Sequence, residues 1–218
     1  MKLWRFADPF DYRFARAGRV GGTWQDGEYK IRARNIVLDW ESGSDIVGDF
    51  TWPGFDTDLV VTDGVGQALQ ESGVAGFDLR PVEMQESAEP AKRRSKKSRV
   101  KLPYEGPPLW DLWVTAWTAS DRELSTLHEV LRDDGSSQLE VVGAQRWERV
   151  WDQQRMELVS VLHPRVEGQA LVVPKMRGVF RVEEFPAWVF CTDDVKALIE
   201  NHDFKNVSFL EMGDVLDR

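Results

Sequence analysis

Cysteine and histidine are scarce in this chain. Among 218 residues there is one cysteine, Cys191, and three histidines, His128, His163 and His202. A single cysteine excludes an intramolecular disulfide and any zinc site built on cysteine pairs. The histidines fall in no HExxH, HxH or mixed Cys/His spacing, so no ligand set is expected from them. Each reads as a surface or capping group. Cys191 lies in the apolar run Val189-Phe190-Cys191, the setting of an inert buried thiol rather than an activated nucleophile. No GxSxG, GxGxxG or GxxxxGK[S/T] occurs, which leaves the serine-hydrolase elbow and the backbone phosphate cradle without support. A long hydrophobic run is also missing. Neither a signal peptide nor a membrane span is expected, and the chain reads as a cytoplasmic protein of a reducing compartment. No metal, cofactor or catalytic residue is assigned.

Acidic charge and tryptophan are abundant. The formal net charge is −9, from 28 basic and 37 acidic residues. Seven of the basic residues sit in Lys92–Lys101, so the rest of the chain holds 21 basic against 37 acidic. Such a field disfavours nucleic acid and anionic membrane and favours a basic partner. Segment 86–101 has almost no apolar residue and reads as a solvated, disordered loop. Its basic run lacks the interleaved aromatics of a nucleic-acid surface. Ten tryptophans are more than a core of this size requires, which favours aromatic interfaces.

Two segments match each other 130 positions apart, Asp58–Met84 and Trp188–Met212. Thr62-Asp63 aligns with Thr192-Asp193, Val65 with Val195, Leu69 with Ile199, and Leu79 with Phe209. Each reads as an apolar strand, a Thr-Asp cap, a helix of about three turns, a turn and an alternating strand. Asp63 is the expected N-cap of the first helix, and Thr192 or Asp193 that of the second. Gly73 stands where a helix terminus needs positive φ.

Elsewhere Lys2–Phe6, Tyr29–Asp39 and Leu109–Trp117 read as strands. Ser120-Asp121-Arg122-Glu123 has the form of a capping box, and Leu124, Leu127, Val130 and Leu131 give a helical face. Leu139–Val142, Trp147–Trp151, Met156–Leu162 and Ala170–Val173 read as successive strands of one antiparallel sheet. The expected class is α+β, a mostly antiparallel sheet with few helices and two related strand-helix-strand modules. The expected organisation is an N-terminal module over 1–85, the basic loop over 86–101, and a C-terminal module over 102–218 packed on the first.

The stretch Gly48-Asp49-Phe50-Thr51-Trp52-Pro53-Gly54 with Leu59-Val60-Val61, and the end from Phe185-Pro186-Ala187-Trp188 to Glu211-Met212, resemble the double-CXXCG-motif immunity proteins of myxobacterial polymorphic-toxin systems. The chain departs from that family in having no CXXC, so no metal ligands carry over. The resemblance implies a cytoplasmic protein that binds and neutralises a cognate toxin. Acidic charge suits a basic toxin domain. Exposed members of Trp110, Trp113 and Trp117 would be the anchors. Two other readings stay open. One is an enzyme with a carboxylate site in a groove between the modules; the other is a scaffold or regulatory subunit that uses the basic loop.

Overall fold

Apolar residues that alternate or run in short stretches, punctuated by glycine and proline, leave this chain mostly strand. The computed structural model describes residues 1–21, 35–53, 57–85, 98–131, 135, 137–152, 156–168 and 170–216. Strands β1 (Lys2–Ala7), β2 (Ala17–Gly21), β3 (Val37–Trp40) and β4 (Phe50–Thr51) come first. β5 (Val60–Thr62) runs into helix α1 (Asp63–Glu71), followed by β6 (Phe77–Pro81) and β7 (Glu83–Met84). Next come β8 (Leu109–Val114), β9 (Trp117–Thr118), β10 (Leu127–Leu131), β11 (Ser137–Val141), β12 (Arg146–Asp152), β13 (Glu157–His163) and β14 (Leu171–Val173). β15 (Val179–Val182), β16 (Phe185–Thr192), helix α2 (Asp193–Asn201) and β17 (Ser208–Val215) complete the order. The class is α+β, with mostly antiparallel sheets and two helices among the described residues. Residues 29–34 of one expected strand, residues 86–97 of the expected loop and Asp133-Asp134 lie outside the described residues.

Two sheets form the frame. One has the order β4-β5-β8-β6 and the other β14-β17-β1-β16-β15-β9. Their local geometry matches position by position. In the first, Val61 is paired with Phe50 on one side and Trp110 on the other. In the second, Cys191 is paired with Val179 on one side and Trp4 on the other. Val61 and Cys191 each precede a threonine that opens a nine-residue helix. Trp110 Nε1 donates to Asp63 Oδ1 at 2.8 Å, and Trp4 Nε1 donates to Asp193 Oδ1 at 2.7 Å. Gly73 and Asp203 both take positive φ after the helices, as do Gly76 and Asn206 in the turns that follow. The turns also bond reciprocally: the Val179 amide donates to Ala75 O, and the Phe50 amide to Lys205 O.

These sheets cross the boundary expected near residues 86–101. β1, from the first part of the chain, lies between β16 and β17, while β8, from the second part, lies between β5 and β6. Each stretch thus supplies an inner strand to the other's sheet. A shared core follows from this. Phe6, Phe50, Leu59, Val61, Val65, Leu69, Leu112, Val179, Val189, Cys191, Val195 and Ile199 are buried together, drawn from both sheets and both helices. The helices reach it through the same spacing, Val65/Leu69 and Val195/Ile199, one turn apart on one face. The outer face of the four-stranded sheet is covered by β2-β3-β7 through Leu38, Trp40, Val60 and Leu109. The outer face of the six-stranded sheet packs Leu3, Leu171, Phe180, Phe190 and Met212 against Leu127, Leu139 and Val141 of β10 and β11.

Three local expectations are corrected. Asp63 is not an N-cap: Thr62 holds that position without a side-chain capping bond, and the Asp63 carboxylate takes the Trp110 indole and Gln67 instead. The segment 120–131 is not a helix. Glu184 Oε2, not Glu123, accepts from the Ser120 amide at 3.0 Å. Burial would raise the Glu184 carboxyl, but hydrogen bonds from Ser120 and Arg122 hold it below its usual range. Asp121 Oδ1 accepts from the amides of Glu123 and Leu124, closing a local turn, and the Thr126 amide goes to Ala170 O. The turn opens as a helix would, with Asp121 in the capping role, but the chain is drawn off at Thr126, and Leu127–Leu131 pairs with Ser137–Val141. Finally, residues 139–173 do not form one sheet. β10-β11 and β12-β13 are separate hairpins, and β14 runs parallel to β17.

The Trp–Asp bonds offer a first test. Trp4→Phe and Trp110→Phe keep an aromatic ring in place and remove the indole N–H donor together with part of the ring's packing. Each is expected to lower stability by about 1–2 kcal/mol, read as a shift in the urea midpoint with unchanged slope.

Candidate functional site

The three sequence-predicted anchors lie on β8 and β9, and none is fully exposed. Trp110 is half-buried against the shared core and held by Asp63. Trp113 is buried, with the Arg80 guanidinium 4.1 Å from its ring centre. Trp117 is half-buried, where β9 pairs with β15. Alternation along β8 accounts for the split: Trp110, Leu112 and Val114 face the shared core, and Asp111 and Trp113 the opposite side.

Carboxylates near that opposite face are already engaged. Asp58 is buried and forms an ion pair with Arg19 at 3.0 Å. Asp111 is buried and lies directly across from Arg80 in the β6–β8 ladder. A broader cleft of about 550 Å³ lies along residues 100–107, lined by Val47, Val100, Leu102 and Tyr104 with Asp45 and Glu105. Neither of its carboxylates is hydrogen-bonded to a described residue. Cys191 is fully buried; burial pushes its thiol well above the usual range and the Asp194 carboxylate adds to the effect. His163 Nε2 lies 3.0 Å from Glu148, His202 caps α2 and stacks on Phe204, and His128 is exposed on β10. Among the described residues no group of three or more His, Cys, Asp or Glu is placed to hold a metal ion.

The surface feature that stands apart is the β12-β13 hairpin. Its base is fixed to β17: the Gln145 amide donates to Glu211 O at 2.9 Å, and Gln145 Oε1 accepts from the Glu211 amide at 2.8 Å. Arg165, just past the hairpin, donates to Glu211 and Asp214. Beyond this base, seven cross-strand pairs run from Arg146↔His163 to Asp152↔Glu157, with no third strand among the described residues. Trp147 is 48% exposed and Trp151 52% exposed. A two-stranded ribbon is marginal in water on its own, and two half-bare indoles on it are surface that a partner can cover. The near end of the hairpin faces the loop after β1 across a cleft of about 280 Å³, lined by Asp8, Pro9, Phe10, Trp147, Arg149 and Ser160.

Sequence reasoning placed a strand at Trp147–Trp151 and missed that it carries the exposed aromatics. A signal was available. In Arg146-Trp147-Glu148-Arg149-Val150-Trp151-Asp152 both alternating faces contain charges, so neither face suits a core.

No helix among the described residues is long and apolar enough to cross a membrane. Compared with known proteins, the chain matches no family model and no curated protein.

Proposed function

We propose that this chain is a non-enzymatic binding protein of the immunity type, which engages and neutralises a cognate toxin in the cytoplasm. The observation that carries the reading is the pair Trp147 and Trp151, half-exposed on a ribbon that pairs with no other strand among the described residues. Covering the bare half of each indole, about 100 Å², is worth roughly 2–3 kcal/mol. That is the range of an interface hot spot. The acidic balance of the chain supplies a long-range field that speeds encounter with a basic toxin domain. In this reading the two strand-helix-strand units are related modules. The equal registers around Val61 and Cys191, the paired Trp–Asp bonds and the reciprocal turn bonds support that relationship. Together they form a rigid frame from which the hairpin projects.

The test is neutralisation. The toxin gene is expected beside this gene, and co-expression of the two is expected to restore growth. Changing Trp147 and Trp151 together to alanine is expected to cost up to about 2 kcal/mol of folding stability per indole, because half of each side chain is buried, so binding is measured on the variant under conditions where it is shown to be folded. The same change is expected to weaken toxin binding by about a hundredfold or more and to abolish rescue. Full rescue by the folded double variant would remove the hairpin from the interface. A genome with no toxin gene nearby, in a host indifferent to deletion, would sink the function itself.

A further inference from the structure

We infer that the Trp147–Arg149–Trp151 face of the hairpin receives a protein segment presenting a carboxylate side chain between apolar side chains. This rests on the hairpin as the contact element and adds the chemistry of what it contacts.

Alternation along β12 puts Trp147, Arg149 and Trp151 on one face, with Ser160 and Leu162 opposite them on β13. Arg149↔Ser160 is the middle of the seven pairs, so the guanidinium sits at the centre of the aromatic face. Arg149 is exposed and makes no hydrogen bond or ion pair with any described residue. The other charged groups around the adjoining cleft are committed. Asp8 pairs with Arg16 at 3.0 Å, and Arg16 also lies over the Phe10 ring at 5.2 Å. Glu148 lies 3.0 Å from His163 Nε2 and forms an ion pair with Arg146 at 3.8 Å. Arg149 is therefore the one uncommitted charge among the described residues lining this cleft.

A guanidinium flanked by two indoles is suited to a planar carboxylate, which it can hold through two parallel N–H donors. The indoles exclude water as they cover apolar neighbours of that carboxylate, which strengthens the ion pair relative to one in open solvent. A basic partner drawn in by the chain's acidic field would meet this one local exception, so contact selects among partners that the field alone cannot tell apart.

Three other occupants fit less well. A second copy of this chain meeting the same face about a two-fold axis would set Arg149 against its own counterpart, a like-charge contact at the centre. Nucleic acid would meet the repulsion of a chain at −9. A drug-sized metabolite needs more enclosure than a cleft of about 280 Å³ beside a two-stranded ribbon gives.

The experiment uses the full chain, isotopically labelled and followed by NMR at the Trp147 and Trp151 indole N–H and the Arg149 Nε–H. The probe is a synthetic peptide, acetyl-Gly-Ser-Leu-Glu-Phe-Ser-Gly-amide, added to about 5 mM, where a Kd near 1 mM saturates. A Leu-Gln-Phe version and a Leu-Lys-Phe version are the controls. The Glu peptide is expected to move all three resonances saturably. The Gln peptide is expected to bind about tenfold more weakly, and the Lys peptide not at all. Arg149→Gln, with an otherwise unchanged spectrum, is expected to erase the preference for Glu over Gln. Equal binding of the Glu and Gln peptides would overturn the inference while leaving the hairpin as the interface. No movement of these resonances with any peptide also overturns it; the neutralisation assay then reports separately on the function. Stronger shifts with a short oligothymidylate, or dimerisation in sedimentation that is abolished by the tryptophan changes, would each replace this partner with another.

Discussion

Arg181→Ala is expected to cost about 3–5 kcal/mol, a large share of the stability of a domain this size. Arg181 is 3% exposed on β15. Its Nη1 donates to Pro186 O at 2.6 Å and its Nη2 to Thr57 O at 2.7 Å. The first carbonyl belongs to the six-stranded sheet and the second to the segment leading into the four-stranded sheet. One planar fork therefore ties the frame together and donates to two part-buried carbonyl oxygens. Truncation removes the guanidinium's bond to each oxygen and opens a cavity, and each lost bond costs about 1–3 kcal/mol. Lysine is expected to recover only part of the loss, because a single ammonium cannot span both acceptors as the fork does. Urea unfolding of the three proteins decides this. A loss below about 1 kcal/mol for alanine would show that water reaches these carbonyls and that the arginine is no clamp.

Gly178→Ala is expected to be nearly as damaging, about 3 kcal/mol or more. The glycine has φ +85°, and an added Cβ would lie 2.3 Å from Ala75 O. That oxygen is backbone and accepts the Val179 amide at 3.0 Å, so it cannot yield without breaking the bond between the sheets. Gly76, at φ +97°, stands on the other side of the same junction, where its Cβ would lie 2.0 Å from Val179 O. Gly73 is the control: its φ is +69° but an added Cβ there meets nothing within 4 Å. Gly73→Ala should cost only the conformational strain, about 1 kcal/mol. Thermal or urea unfolding of the two variants separates strain from collision. Equal losses at positions 73 and 178 would mean that the close approach of the sheets carries no weight.

The helix at 120–131 shows how far local patterning reaches. Leucine and valine spacing there fits a helix as well as a half-buried strand, and the acidic side chain expected to complete the capping box is 64 positions away in sequence, at Glu184. Leu124 and Leu131, half of the supposed helical face, end up exposed. No short-range pattern reports a partner that arrives from across the chain. The anchors tell the same story. Trp113 and Trp147 sit in similar strand-like stretches, and one is buried beneath Arg80 while the other stands in solvent. What separates them is whether a second layer of chain happens to cover that face. The committed charge of Asp8 and Glu148, and the uncommitted charge of Arg149, are likewise contacts between distant segments.

By itself the sequence determined the elements whose signals are local: the strand-helix-strand units at 58–84 and 188–212, with their Val/Leu and Val/Ile helix faces, and the positive-φ turn at Gly73. Periodicity and glycine placement act over a few residues, so they survive without tertiary context. Only the tertiary structure decided that β1 and β8 trade places, that Trp4 and Trp110 do equivalent work at two helix starts, and that Trp147, Arg149 and Trp151 form an uncovered face. Strand pairing and burial depend on which distant segments meet, and a backbone edge or an apolar face accepts many partners until the whole chain has chosen one.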